Sequence, residues 1–290
     1  MKSSSASKIK IAGFDDLFGE NIDKADKVIN MPISELHAFK NHPFHVEDDQ
    51  KMKEMIESIK EYGVLVPGLA RSRKEGGYEL ISGHRRKHAC EVVGKETMPI
   101  IIKELSDDEA TITMVDANIQ RENLLYSERA FAFKLKFDAM KHQGSKGNKT
   151  STDKIGEESG ESGRQIQRYI RLTCLLPEIL KLVDNKNIAF IPAVNISYLD
   201  VTQQEWVLNA IQVTHNYPSN QQTMKIRKCS DEGKLTQNIV ILIIKEQKVK
   251  DIKITISATN CKKYFPDECS AKEIEKIIYK LLENWKQTNQ

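Results

Sequence analysis

Three residues near the middle of the chain constrain its fold most tightly. Gly156, Gly160 and Ile166 place a small residue, a turn residue and an apolar residue at the spacing of two short helices joined by a tight turn. The small residue lets the second helix approach closely, and the glycine at 160 relaxes the backbone of the turn. The sequence therefore predicts one helix over 152–159 and a second over 162–175.

The outer face of the second predicted helix carries basic and amide side chains. Ser162 followed by Gln165 is typical of a capping box, which fixes where a helix begins. Arginine suits guanine edges, glutamine suits adenine edges, and both contact phosphates. We therefore predict that this helix lies in the major groove of double-stranded DNA. The predicted DNA-binding residues are Ser162, Arg164, Gln165, Gln167, Arg168 and Arg171. The alternative is a solvated basic helix of an all-α bundle.

The distribution of charge along the chain favours a polyanionic partner for its middle part. The 290 residues carry a net charge of +3, but residues 127–230 hold 15 Lys and Arg against 10 Asp and Glu. The longest apolar run, Ile239–Ile244, is far shorter than the roughly 20 residues of a membrane-spanning helix. Residues 1–10 lack the apolar segment of a secretion signal. These features predict a cytoplasmic protein.

Hydrophobic periodicity predicts an α+β protein. In the first third, helices are expected over 49–62 and 85–93, and strands over 64–71, 78–82 and 98–103. Helical patterns then dominate to about residue 230. Near the end, a strand is expected over 251–258, and Ser270 with Glu273 predicts a capped amphipathic helix that docks within the chain or on a second copy. The predicted organisation is a flexible arm (1–27), a mixed α/β domain (28–125), an all-α helix-turn-helix domain (126–230) and a small α/β domain (231–290).

A strand that runs through one glycine into a basic helix forms a second candidate site. The segment Ile81–Ala89 reads ISGHRRKHA. Free backbone N–H groups at the helix start, with the cations of 85–87 beside them, suit a di- or triphosphate. An ordinary basic surface is the alternative. His84 and His88 are four residues apart but lack an acidic third ligand, so no metal site is predicted.

Amide and guanidinium groups at the end of a predicted helix form a third patch. Asn118 suits Mg²⁺ or a ribose hydroxyl, and Arg121 suits a phosphate. A polar helix end without a ligand is the alternative.

The order of these motifs resembles the ParB partition protein family over about residues 30–200. The resemblance is carried by Ser58-Ile59, Gly63, Pro67, Gly83-His84-Arg85-Arg86, Ala89, Asn118-Ile119-Gln120-Arg121 and the predicted helix-turn-helix. It implies binding to a centromere-like DNA site through the helix-turn-helix, and binding of CTP and Mg²⁺ in the N-terminal domain to form a sliding clamp. It also implies homodimerisation through the C-terminal domain and interaction with a ParA-type ATPase. The implied nucleotide-binding residues are Gly83, His84, Arg85, Arg86, Asn118 and Arg121.

The chain departs from the family pattern at three places. His84 replaces the glutamate of Gly-Glu-Arg-Arg, and Ala117 replaces the glutamate of Glu-Asn-x-x-Arg. The segment 42–47 also lacks the glutamine and arginine of Asn-Pro-x-Gln-Pro-Arg. A carboxylate at 117 would help to hold Mg²⁺ and support attack of water on the γ-phosphate. We therefore expect CTP binding with slow or absent hydrolysis, and we assign no catalytic residue.

Two other functions stay open on the sequence. One is a nucleoid-associated or transcriptional regulator that uses the same helix-turn-helix. The other is a nucleotide-dependent phosphotransferase, because the strand, Gly-His-Arg turn and helix also resemble sulfiredoxins, which place a catalytic cysteine beside this turn. The nearest thiol here is Cys90, two helical turns away.

Overall fold

The described part of the chain forms two compact units. The computed structural model describes residues 27–121, 123–143, 150–246, 264–266 and 269–288. The units are 1–246 and 247–290. The predicted arm before residue 27, most of the predicted linker after residue 143 and the predicted strand over 251–258 lie outside the described residues.

Five strands of the first unit form one mixed sheet. They are β1 (Val28–Pro32), β2 (Leu36–Ala38), β3 (Gly68–Ser72), β4 (Tyr78–Ser82) and β5 (Thr97–Ile102). Their order is β1-β5-β3-β4-β2. The β1–β5 and β3–β4 pairs are antiparallel, whereas β3–β5 and β2–β4 are parallel. This arrangement confirms the mixed class that the periodicity predicts.

Helices cover both faces of the sheet because neighbouring strand residues point to opposite sides. Leu80 packs with residues of the first two helices, whereas Ile81 packs on the other face with Met114 of the third. These helices are α1 (Gln50–Tyr62), α2 (His84–Val93) and α3 (Asp107–Ile119). Helices α1 and α2 each begin within one residue of their predicted starts.

The predicted strand over 64–71 is wrong in its first half. Strand β3 begins only at Gly68, and residues 64–67 form a loop. Pro67 has no N–H to give to a sheet. The carbonyls of Val66 and Pro67 instead accept hydrogen bonds from the Arg86 guanidinium, at 2.8 Å for Pro67. The backbone of this loop therefore pairs with the Arg86 side chain of α2 and not with a neighbouring strand, as the predicted strand would require.

The remainder of the first unit is helical. Its helices are α4 (Tyr126–His142), α5 (Ser151–Ser159), α6 (Gly163–Leu172), α7 (Pro177–Asp184), α8 (Phe190–Ile196), α9 (Val201–Thr214), α10 (Asn220–Asp231) and α11 (Gln237–Lys245). Helix α6 ends three residues earlier than predicted. Pro177 opens α7 and holds Leu176 extended, so the chain must leave α6 before it.

The turn between α5 and α6 is as tight as the glycine spacing predicts. A Cβ atom at Gly156 would lie 2.6 Å from the Glu161 carbonyl oxygen and 3.0 Å from the Gly163 nitrogen. Gly160 ends α5 in the left-handed region at φ +74°. Ile166 is fully buried and packs with Ile155 of α5. The two helices therefore pack through a small residue, a glycine turn and a buried apolar side chain.

The last compact unit begins at residue 247, later than the predicted start of the last domain at residue 231. Helix α11 packs against α9, and its Val240 and Ile244 are buried in the core of the preceding helices. Only α12 (Ala271–Thr288) is described as a helix of the second unit. Its predicted capping box is present. The Glu273 N–H donates to Ser270 Oγ, and the Ser270 N–H donates to Glu273 Oε2. No helix within the described ranges combines the length and hydropathy that crossing a bilayer requires.

Candidate functional site

The start of α2 is built around a glycine that no other residue replaces without strain. Gly83 is the N-cap residue at φ +107°, in the region that L side chains rarely adopt. A Cβ atom there would also lie 3.2 Å from the Gly68 Cα of the neighbouring strand. The glycine therefore lets the strand turn abruptly into α2. The first N–H groups of α2 have no intrahelical partner, as in other anion sites at helix starts.

A cavity of about 420 Å³ opens beside this helix start. Its volume lies in the range of small-molecule sites. Three carboxylates and three cations contribute to its wall, so it suits a ligand that carries both negative charge and hydrogen-bonding groups. The lining residues are His45, Glu47, Asp49, Lys51, Met55, Arg85, Arg121, Asn123, Leu124, Leu125 and Glu128.

The two arginines of the predicted phosphate site have different positions. Arg85 lines the cavity and donates to Asp49 Oδ1 at 2.6 Å. Arg86 instead braces the loop before β3 through its bonds to Val66 and Pro67. Burial lowers the pKa of Arg86, and only Arg85 of this pair is among the lining residues.

His84 turns its ring away from the lining of the cavity and against His42. The two ring centroids are 4.0 Å apart, and Nε2 of each ring is buried without a hydrogen-bond partner. Burial lowers the pKa of His84 to about 3, with the charges of His42 and Lys87 acting in the same direction. His84 is therefore an uncharged group at neutral pH. His88, its predicted neighbour on the helix, contacts Asp48 instead at 3.0 Å.

Asn118 lies in the last turn of α3, and Arg121 follows the end of this helix. Asn118 donates to the Met114 carbonyl at 2.8 Å, and its Oδ1 faces an Arg121 nitrogen at 3.5 Å. Arg121 lines the cavity, whereas Asn118 does not. Burial lowers the pKa of Arg121, and the nearby charge of Arg85 acts in the same direction. A second guanidinium thus faces the same cavity as Arg85.

Glu128 and Asp49 are among the lining residues that the sequence analysis missed. Glu128 is buried and accepts from the backbone N–H groups of His45 and Leu125, at 2.8 Å and 3.0 Å. It joins the loop before α1 to the start of α4. Asp49 caps α1 by accepting from the Met52 N–H at 2.7 Å. The capping position of Asp49 was readable from the sequence, but its contact with Arg85 links residues 36 positions apart and was not.

The predicted DNA-binding helix exposes the face that its periodicity predicts. Arg164 and Gln167 of α6 are exposed, and Gln165 and Arg168 are half-buried. Ile166, Tyr169 and Leu172 hold the opposite face in the core. Ser162 Oγ accepts from the Gln165 N–H at 3.2 Å, but the return bond of a capping box is absent and Gln165 Oε1 faces an Arg168 nitrogen instead.

Arg171, at the end of α6, is held by the residues after α8. Its guanidinium donates to the Ser197 carbonyl at 2.7 Å and lies 4.4 Å from the ring centroid of Tyr198. It is therefore more fixed than the other arginines of the helix.

The thiol that a sulfiredoxin-like reaction would need is inaccessible. Cys90, a residue of α2, is fully buried, and burial raises the pKa of its thiol. A reactive cysteine has the opposite properties, an exposed position and a lowered pKa. This geometry disfavours the phosphotransferase hypothesis.

Comparison with protein families identifies the first part of the chain. The family model of the ParB N-terminal domain matches residues 19–119. This match is similarity over about a third of the chain. The predicted resemblance to the ParB family is thereby confirmed. The α2 start and Asn118 lie within the matched residues, and those residues form part of the cavity lining.

Curated relatives agree with the ParB assignment. The chain is 34% identical over 126 residues to a nucleoid occlusion protein of Halalkalibacterium halodurans, over 43% of this chain and 44% of that protein. It is 31% identical over 166 residues to the chromosome-partitioning protein ParB of Myxococcus xanthus, over 57% and 52%. These alignments span about half the length of the relatives.

A solved structure that the chain matches is the C-terminally truncated chromosome-partitioning protein ParB of Caulobacter crescentus complexed to the centromeric parS site. It covers 74% of this chain and 98% of that chain, at 20% identity and a TM-score of 0.43. The same protein complexed with CTP-γ-S covers 63% of this chain and 99% of that chain, at 24% identity and a TM-score of 0.31.

Proposed function

We propose that this chain is a ParB-type partition protein that binds a centromere-like site on double-stranded DNA through α6. The observation that carries the proposal is the exposed face of α6. It contains no acidic residue, and none of its arginines lies within 4.0 Å of a carboxylate of the described residues. A helix that presents unneutralised guanidinium and amide groups beside a tight turn suits the major groove. The similar protein of Myxococcus xanthus is a chromosome-partitioning protein.

The same proposal includes CTP binding in the cavity between α1, α2 and α4. Arg85 and Arg121 supply two guanidinium groups, and the start of α2 supplies free N–H groups, which together suit a triphosphate. His84 contributes through its backbone, since its ring is uncharged and turned inward. Gly83 allows the approach of the chain to the phosphates, and Asn118 fixes Arg121. Closure into a sliding clamp is the conformational change that this ligand would drive.

Mg²⁺ would enter the site with the triphosphate. Among the described residues, no three His, Cys, Asp or Glu side chains are placed to hold a metal by themselves. Mg²⁺ usually needs only one or two protein carboxylates beside phosphate oxygens, and Glu47 of the cavity wall is one such group. Ala117 provides no carboxylate, which supports slow or absent CTP hydrolysis.

Homodimerisation through the second unit completes the proposal. Helix α12 exposes Leu281 and Leu282 by 60% and 55%, on the stripe that also holds Ile274 and Ile277. A second copy of the helix would bury this stripe and place two α6 helices on one DNA site. A ParA-type ATPase is the proposed partner of the assembled protein, and the nucleoid of the cytoplasm is its proposed location.

Footprinting of DNA fragments selected by the full chain, with and without CTP and Mg²⁺, tests these statements. We expect a discrete protected site without nucleotide and protection that spreads from that site when CTP is added. A discrete site without spreading would identify a transcriptional or nucleoid-associated regulator instead. Absence of any protected site would contradict the proposed function.

A further inference from the structure

A tyrosine beside the end of α6 carries two arginines on its ring. Tyr198 lies in the turn after α8 and is 47% exposed. The guanidinium carbon of Arg171 lies 4.4 Å from the ring centroid, and that of Arg227 in α10 lies 3.6 Å from it. Three separate parts of the chain thus meet in one cluster, the Arg171–Tyr198–Arg227 stack.

The stack concentrates positive charge that no carboxylate offsets. The two guanidinium carbons are within about 8 Å of each other, a separation comparable with the Debye length at physiological salt, so their charges repel. Within the described ranges, neither guanidinium has a carboxylate oxygen within 4.0 Å. Nε of Arg171 is also buried without a hydrogen-bond partner. An arrangement that gathers like charges without a counter-charge is suited to an anionic ligand.

The ring geometry indicates which anionic group this is. An exposed tyrosine ring is a stacking platform for an unpaired base. Here the guanidinium groups lie over the ring, so the ring is already occupied. A guanidinium over an aromatic ring keeps its N–H donors at its edge, where they match the fork of phosphate oxygens. The stack therefore favours a backbone phosphate over a base.

The stack is also continuous with the basic face of α6. Arg168 and Arg171 are three residues apart and hence neighbours on the helix surface. Arg171 is fixed by its bond to Ser197, which leaves Arg227 as the member whose removal perturbs the fold least.

We propose that Arg227, held over Tyr198, binds a backbone phosphate of the DNA duplex beside the segment that α6 contacts. This inference rests on the proposed DNA-binding function and adds a contact from outside the helix-turn-helix. It requires that loss of Arg227 weakens binding equally on all sequences. One phosphate contact contributes about 0.9 to the slope of log affinity against log salt, which corresponds to about eightfold in affinity at 0.1 M salt relative to 1 M salt.

The experiment measures the affinity of the full chain by fluorescence anisotropy over a range of salt concentrations. The probes are a duplex selected by the wild-type chain and a scrambled duplex of equal length. We expect Arg227→Gln to lower affinity by about eightfold on both duplexes and to reduce the salt slope by about 0.9. Arg73→Gln is the matched control, since it removes the same charge from an arginine that pairs with Glu75 in the β3–β4 turn.

Two substitutions of Tyr198 test whether its aromatic ring holds Arg227 in place. Tyr198→Phe retains the ring and should bind as the wild type does, whereas Tyr198→Leu should resemble Arg227→Gln. If Arg227→Gln matches Arg73→Gln while the wild type still binds DNA, the inference is wrong and the proposed function survives. A loss confined to the selected duplex would also overturn it, by indicating a base contact. If the wild type binds neither duplex, the proposed function itself fails.

Discussion

Arg85 and Asp49 form an ion pair across the mouth of the candidate nucleotide site. The Arg85 guanidinium donates to Asp49 Oδ1 at 2.6 Å, and the same carboxylate oxygen accepts from the Met52 N–H at the start of α1. The hydrogen bond from Arg85 holds the pKa of Asp49 below its ordinary value. The cation best placed for a triphosphate is thus engaged by a protein carboxylate, with which a ligand must compete.

Replacing this carboxylate should strengthen nucleotide binding. Asp49→Asn removes the charge that competes for Arg85 and retains a residue that caps helices well. Because the Asp49 side of the pair is solvent-exposed, we expect a gain in CTP affinity of only about two- to fivefold, with little change in melting temperature. Isothermal titration with CTP and Mg²⁺ measures it. Asp48→Asn is the control, since Asp48 contacts His88 and not Arg85. Equal affinities for the two variants would contradict the role of the pair.

Substitutions on α6 should separate base recognition from phosphate contact. Arg164→Ala and Gln165→Ala should lose discrimination between selected and scrambled DNA, by about 1 to 3 kcal/mol for a bidentate base contact. Arg168→Ala should instead weaken binding to both DNAs, because a phosphate contact carries no sequence information. Competition binding on the two duplexes measures both effects. Unchanged affinity in all three variants would refute the assignment of α6 as the recognition helix.

In the turn between α5 and α6, the position of a substitution should affect stability more than the size of the new side chain. Gly156→Ala places a Cβ atom 2.6 Å from the Glu161 carbonyl, so we expect a loss of about 1 to 3 kcal/mol in the free energy of unfolding. Gly160→Asn adds more atoms, but nothing lies within 4 Å of a Cβ there and asparagine tolerates a positive φ. Urea unfolding should therefore rank Gly160→Asn above Gly156→Ala in stability. The reverse order would contradict the close approach at Gly156.

Local patterns predict this fold well where one element determines its own ends. Asp49, Gly63 and Gly94 terminate helices through their own backbone and capping chemistry, which is why α1 and α2 lie close to their predicted bounds. The loop at 64–67 was mistaken for a strand because its apolar residues satisfy the pattern. What decides the matter is the Arg86 side chain, which comes from a later helix.

The candidate site is less readable from the sequence because it depends on contacts between distant segments. The motif around Gly83 locates the helix start correctly. No local pattern shows that His84 turns inward onto His42, or that Glu128 joins the loop of His45 to α4. Similarly, the charge of Arg171 is visible in the sequence, but its engagement by Ser197 is not. Side-chain direction within a motif is thus set by packing partners that only the folded chain supplies.

The inward position of His84 should make the folded state sensitive to acid. Its pKa is about 3 in the folded chain and 6.5 as the ordinary value, so the unfolded chain binds more protons between these limits. Stability therefore falls as the pH drops from 6.5 toward 3. Between pH 7 and pH 5 this group alone accounts for a loss of about 2 kcal/mol. His84→Gln should remove much of that loss.

Urea unfolding of the wild type and His84→Gln at the two pH values measures the effect. His142→Gln is a suitable control, because His142 is exposed at the end of α4. The buried environment of His84 would be contradicted by an equal loss of stability in His84→Gln and wild type.

A charge placed on the apolar stripe of α12 should separate the proposed dimer. Leu281→Lys puts an ammonium group where a second copy would otherwise bury the leucine, and burial of an unpaired charge is strongly unfavourable. We expect sedimentation equilibrium to show a monomer for Leu281→Lys and a dimer for the wild type. Glu283→Lys is the control, since Glu283 is exposed and lies off the stripe. A dimer that persists in Leu281→Lys would place the self-association of this protein elsewhere. A wild-type monomer at the same concentration would contradict the proposed homodimer.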